Sequence, residues 1–196
     1  MHRQNVIAIG IASLLLLVIV TAALTKRESF GMLARGMATV TGHSSSVSVP
    51  SKDAPTALEF APGTWINSDP LTLKKLRGRV VLVEFWTFGC YNCRNTLPYV
   101  KRWDERYRDK GLTVVGVHSP ELEEERVIDN VRRETASLGI RYPVVTDNDY
   151  ATWKAYNVEA WPTIFVLDKQ GRIRWTHVGE GKYDETEGVI QKLLAE

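Results

Sequence analysis

An α/β domain with a sheet between layers of helices is the fold class this sequence predicts, on three observations. The first is a β-branched, nearly continuous apolar run, "RVVLVEFW" at residues 79–86, which has the pattern of a parallel strand buried on both faces and central in a sheet. The second is an alternation of strand-like and helix-like segments that closes on a hairpin formed by "PTIFVLD" and "GRIRWTHVG". The third is size: 196 residues, 44% hydrophobic and 24% charged, can bury one ordinary core, and two independent domains would be cramped.

Taken in order, the chain opens with a stretch from Val6 to Leu24 that carries no charge over 19 residues, long enough to cross a bilayer. Its length favours an uncleaved anchor over a signal peptide, although "VTAAL" offers the small residues that cleavage needs. Residues 1–24 are therefore read as the anchor or signal segment. Arg3 precedes the span and Lys26, Arg27 and Arg35 follow it, so the positive-inside rule does not favour an exported C-terminus. Residues 25–57 are rich in Ser, Thr, Gly and Pro and read as a flexible linker. The folded domain is expected over 58–196. It opens with a short hairpin in "TWINSDPLTLKKLRG", with its turn near Ser68, Asp69 and Pro70.

After the strand at 79–86, Leu97, Val100, Trp103 and Tyr107 recur at spacings of three and four, the pattern of an amphipathic helix, here closed by Gly111 and kinked at Pro98. "LTVVGVHS" is the next strand. Ser119, Pro120 and the glutamates after them supply a cap, a first-turn proline and dipole-matched charge for a helix that ends by Gly139. "YPVVTD" follows as a short strand, "NDYATWKAYNV" as a short helix and, after the hairpin, "DETEGVIQKLLAE" as a closing helix.

Composition excludes some classes of function. A formal charge of +2 with both signs scattered gives no basic stripe for nucleic acid. Two cysteines are too few for the disulfide framework of a small secreted scaffold. Their placement is local: Cys90 and Cys93 form a Cys-x-x-Cys between the buried strand and the helix. A sulfur at a helix N-terminus is held as thiolate by unpaired amides and the helix dipole, so Cys90 is the candidate nucleophile. Cys93, one turn on, can attack a mixed disulfide at Cys90 and release the substrate. A zinc site would need two more ligands, and His118 and His177 are the only histidines of the domain; haem attachment fails because residue 94 is Arg. Glu84 lies in the apolar run six residues before Cys90. Burial there raises its pKa and fits it to take a proton from the resolving thiol.

The succession "VVLVEFWTFGCYNCRNTLPYVKRWDERYRDKGLTVVGVHSPE" and "AWPTIFVLDKQGRIRWTHVGEGKYDETE" resembles thioredoxin-fold proteins of the membrane-anchored TlpA/ResA type, most closely the soluble C-terminal domain of DipZ-like proteins. The resemblance implies a thioredoxin-like fold with a central mixed sheet, an N-terminal hairpin and a helix/strand insertion from about Glu121 to Tyr156. It makes Cys90 and Cys93 the redox pair with no other cofactor, Glu84 the buried acid and Pro162 a cis-proline facing the dithiol. Substrate would be held by Trp161, Pro162, Thr163 and Trp86. Gly89 departs from the Trp common in thioredoxins before the first cysteine, and Tyr91-Asn92 from their Gly-Pro. The resemblance further implies disulfide-containing client proteins as partners, a membrane electron donor of the DsbD/CcdA type, an extracytoplasmic catalytic domain and settings such as cytochrome c maturation. The rival functions are a thiol peroxidase of the same fold, suggested by Thr87-x-x-Cys90, and a redox-inert peptide-binding domain with Trp65, Trp86 and Trp161 lining its groove.

Overall fold

The structure, a computed structural model, describes residues 45–196. The anchor at 6–24 and most of the linker lie outside them. The described strands are β1 (Ser45–Ser48), β2 (Trp65–Ile66), β3 (Val80–Trp86), β4 (Leu112–His118), β5 (Val144–Thr146), β6 (Thr163–Leu167) and β7 (Ile173–Val178), and the helices are α1 (Tyr91–Tyr107), α2 (Ile128–Ser137), α3 (Ala151–Ala155) and α4 (Tyr183–Ala195). The strands form one mixed sheet in the order β1-β7-β6-β3-β4-β5-β2. β3 lies fourth of seven, parallel to β4 and antiparallel to β6, and every residue in it is buried. Its unbroken apolar run is the sequence-level consequence of that place, because both faces of a central strand are covered.

Alternation along β3 divides the core. Val80, Leu82 and Trp86 face a cluster that holds Leu97, Val100, Trp103 and Tyr107 of α1, Val131 of α2, and Ile190 and Leu193 of α4. Val81, Val83 and Phe85 face the opposite cluster, with Leu73, Leu76, Tyr156 and Val158. Helices thus cover one face, and α3 with the segment before β3 covers the other. The four periodic residues of α1 are buried as their spacing predicts, at roughly 1.5–3 kcal/mol for each large apolar side chain removed from water. α1 runs on through Pro98 into a 3₁₀ turn, Arg108–Lys110, which ends at Gly111 with φ 106, a left-handed conformation that glycine adopts at little cost.

Three expectations are corrected. The linker does not reach residue 57: β1 pairs antiparallel with β7, and the Ala57 amide donates to the Gly171 carbonyl at 2.9 Å. Backbone hydrogen bonds to an otherwise open sheet edge hold this segment, which is why its lack of large apolar side chains misleads. The N-terminal hairpin does not form either, since β2 pairs antiparallel with β5. The Asn67 side chain fixes that edge by donating to the carbonyls of Ile140 and Tyr142, at 3.0 and 3.1 Å. The residues after the turn do not return as a strand; Leu73 and Leu76 pack down into the second core cluster instead. Finally, Ser119 caps no helix. Its hydroxyl donates to Asp147 at 3.3 Å, a 3₁₀ turn (Glu123–Arg126) intervenes, and α2 starts only at Ile128.

Candidate active site

The turn "TFGC" carries the chain from β3 into α1, with the Cys90 amide donating to the Thr87 carbonyl at 3.4 Å. Cys90 is the N-cap residue of α1 and is bonded to Cys93 in a disulfide; its sulfur also accepts from the Cys93 amide at 3.2 Å. The two sulfurs differ in access. Cys90 is half-buried, whereas Cys93 is 2% exposed and belongs to the helix-side core. A reagent from solvent meets Cys90 first.

Glu84 is 1% exposed on β3, between Leu82 and Trp86 on the face that holds Cys93 and α1. The Tyr142 hydroxyl donates to its Oε2 at 3.0 Å, and Oε1 has no protein hydrogen-bond partner. Burial pushes the Glu84 pKa up to about 8, and the Tyr142 bond opposes part of that rise. The group therefore exchanges protons close to the ordinary thiol range.

Beside Cys90 runs an open groove of about 430 Å³, lined by Gly89, Cys90, Tyr91 and Asn92 on one side and by Glu121, Glu159, Ala160 and Trp161 on the other. Trp161 is the half-buried wall: its indole donates to the Ser119 carbonyl at 3.0 Å and packs on Trp153 with ring centroids 4.3 Å apart. The Trp161–Pro162 peptide bond is cis, the isomer that the resemblance implies. Two expected substrate contacts are corrected. Thr163 is buried, and its hydroxyl donates to the Ala160 carbonyl at 2.7 Å, so it shapes the loop and presents no side chain to the groove. Trp86 is 2% exposed in the helix-side core, edge-on to His118; as the last residue of a wholly buried strand it is core for the same reason as the rest.

Four further residues shape the surroundings of the pair, and two of them, Tyr142 and Glu125, escape a reading of the sequence as function. Tyr142 is Glu84's partner from 58 residues away. Thr87, which carried the peroxidase alternative, is fully buried, with its hydroxyl 3.2 Å from His118 Nε2. His118 is also fully buried, and desolvation lowers its pKa to about 4, so it is neutral at physiological pH. Glu125, inside the acidic run, turns inward to full burial and accepts from the Gly89 amide at 2.8 Å. The only sequence signal for it is the glycine before Cys90. Among the described residues no cluster of three His, Cys, Asp or Glu side chains could hold a metal ion.

Comparisons with known proteins fall on this same region. Residues 49–194 match the Redoxin family. Protein DipZ of Mycobacterium bovis is 44% identical over 133 residues, which are 66% of this chain and 19% of that protein. The thiol-disulfide oxidoreductase YkuV of Bacillus subtilis is 28% identical over 132 residues, covering 67% of this chain and 88% of that one. The crystal structure of a thiol-disulfide isomerase from Corynebacterium glutamicum superposes with a TM-score of 0.68 at 28% identity, covering 74% of this chain and 99% of that one. The chain thus spans about a fifth of the length of the DipZ proteins it matches.

Proposed function

The chain belongs to the Redoxin family, and on that premise we propose that it is a thiol–disulfide oxidoreductase that reduces disulfides of client proteins through Cys90 and Cys93. One observation carries the reading: a Cys-x-x-Cys disulfide at a helix N-terminus whose first sulfur opens on a groove while the second is buried. The chain's similarity to YkuV, a thiol-disulfide oxidoreductase, and to the thiol-disulfide isomerase of Corynebacterium glutamicum supports it.

The chemistry follows from the geometry. The Cys90 thiolate attacks one sulfur of a client disulfide; the client S–S bond breaks, a mixed disulfide forms on Cys90, and the first client thiolate leaves and takes a proton. Cys93 passes its proton, directly or through a water, to the Glu84 carboxylate and attacks the Cys90 sulfur. The Cys90–Cys93 disulfide forms, and the second client thiolate departs. Two electrons pass from the pair to the client. Because Glu84 has a pKa of about 8, near that of a thiol, the proton moves between the two groups at little cost in either direction. Trp161 and the loop that ends at Pro162 form the wall against which an extended client segment lies.

Residues 1–24 are proposed as a membrane anchor, and the residues that follow it, up to the described domain, as a tether that keeps the domain near the bilayer on its outer face. There disulfides form and a reductase has clients, and a membrane protein of the DsbD/CcdA type would restore the dithiol. Among the described residues no helix is long and apolar enough to cross a membrane. Protease added to spheroplasts should remove the domain without lysis; protection until lysis would place it in the cytosol. Reduction of insulin by the full chain with dithiothreitol as donor tests the activity, and a rate no higher than with dithiothreitol alone would refute it.

A further inference from the structure

Glycine at position 89 has a steric reason: a Cβ there would lie 2.5 Å from Glu125 Oε1. Glu125 belongs to the insertion after β4, 35 residues from Cys90 in sequence, yet its carboxylate lies against the loop that presents Cys90. Oε1 accepts from the Gly89 amide at 2.8 Å, and Oε2 accepts from the amides of Glu121 and Leu122 at 2.6 and 2.9 Å. The Thr87 side chain also hydrogen bonds to it. Glu125 is fully buried. Burial alone would raise its pKa, but the bonds from Thr87 and from the Leu122, Glu121 and Gly89 amides hold it below the usual carboxylate value. The group is a fixed anion at physiological pH, satisfied by amides and a hydroxyl, and the neighbouring His118 is neutral.

We infer that Glu125 is a positioning residue of the Cys90–Cys93 pair: it ties the loop before Cys90 to the insertion and sets a buried negative charge beside that loop, favouring the disulfide over the Cys90 thiolate. The inference rests on the thiol–disulfide reading above. The effect is electrostatic: the anion, fixed on the Gly89 amide, opposes the thiolate that the α1 N-terminus favours, where the Cys93 amide already donates to the Cys90 sulfur. A less stable thiolate destabilises the reduced form and makes the pair a stronger reductant. Among the described residues, the other charged groups beside Cys90 are Glu121 and Glu159 in the groove and Arg94 on α1, whose guanidinium donates to the Phe88 carbonyl at 2.9 Å. All three are exposed and screened by salt, whereas Glu125 is not, and the buried acid Glu84 is held mostly protonated at neutral pH by its raised pKa of about 8.

The test is Glu125→Gln in the full chain, read by equilibrium with glutathione and, in a Cys93→Ser background, by the titration of the Cys90 thiolate. The equilibrium should shift about tenfold toward the reduced pair, a change of about 30 mV for a two-electron couple. Cys90 should titrate at lower pH. Should Glu125→Gln not fold, Gly89→Ala crowds the carboxylate off the amide from the other side and should move both readouts in the same direction by less. A lowered thermal midpoint with potential and titration unchanged in the variant that folds would make Glu125 a structural anchor only and overturn the inference. A wild-type chain that neither equilibrates with glutathione nor reduces insulin would instead overturn the thiol–disulfide reading, and this inference with it.

Discussion

Tyr142 and Glu84 form a hydrogen bond of 3.0 Å inside the sheet, between the segment that leads into β5 and the middle of β3, with both side chains essentially excluded from water. Among the described residues no cation shares this site: Glu84's carboxylate is held by one neutral donor, so desolvation dominates its titration. The Tyr142 hydroxyl is itself pushed well above its ordinary range by burial and by the Glu84 charge, and it remains a donor throughout the physiological range.

Tyr142→Phe removes the only bond that lowers the Glu84 pKa. The pH at which reductive exchange accelerates should rise by about one unit, and folding stability at alkaline pH should fall by about 1.5–3 kcal/mol, the worth of a hydrogen bond to a charged group. Stopped-flow exchange rates between pH 6 and pH 10 check the first, and urea titrations the second. An unshifted rate profile would separate Tyr142 from the proton step.

Glu84→Gln tests the same carboxylate through linkage. Folding raises this acid's pKa from 4.5 to about 8, so the folded state holds a proton that the unfolded chain has lost between those values. The contribution is fully present below 4.5 and is lost as pH rises through about 8, a change on the order of 5 kcal/mol. In the oxidised protein, Glu84→Gln should flatten that decline and leave the variant more stable than the parent above pH 8. Parallel stability curves for the two proteins would contradict a raised pKa. Exchange near neutral pH should slow, because the amide accepts no proton.

Cys90→Ser should abolish exchange, whereas Cys93→Ser should accumulate a covalent client adduct on Cys90. The asymmetry comes from burial, since Cys93 is 2% exposed and Cys90 opens on the groove. In the reduced protein, iodoacetamide should alkylate Cys90 well before Cys93, as followed by mass spectrometry. The reverse order would exchange the two roles.

The readability of this fold and site in the sequence varied with the kind of contact involved. β3, α1 and the Cys-x-x-Cys between them were legible because apolar periodicity reports burial directly, and Glu84 stood out as an acid inside that pattern. The cis bond before Pro162 came from resemblance alone, since no local pattern distinguishes it from a trans turn. β1 was hidden because it is held by backbone bonds to β7, which composition does not record. Tyr142 and Glu125 were hidden because their partners are distant in sequence. Glu125 in particular sits in an acidic run that reads as solvent-facing helix-start charge, and only the space it takes at Gly89 betrays its inward turn.

The groove beside Cys90 carries acid on its outer wall, from Glu121 and Glu159, with the exposed aromatic ring of Tyr91 across from them. Among the described residues neither glutamate is held in an ion pair of the kind that ties Glu123 to Arg126, so their charge faces the groove. A disulfide flanked by cations should therefore meet Cys90 faster than one flanked by anions. At low ionic strength the dicationic disulfide cystamine should react roughly three- to tenfold faster than the anionic glutathione disulfide, relative to their rates with free dithiothreitol, and the difference should shrink as salt shortens the Debye length to about 10 Å at 0.1 M. Replacing both groups, as Glu121→Gln with Glu159→Gln, should bring the two substrates together. The neutral hydroxyethyl disulfide should be unaffected by salt and nearly unaffected by the substitutions, which separates a charge effect from a change in Cys90 itself. A preference for cystamine that survives both salt and the double substitution would assign the selectivity to some feature other than these two carboxylates.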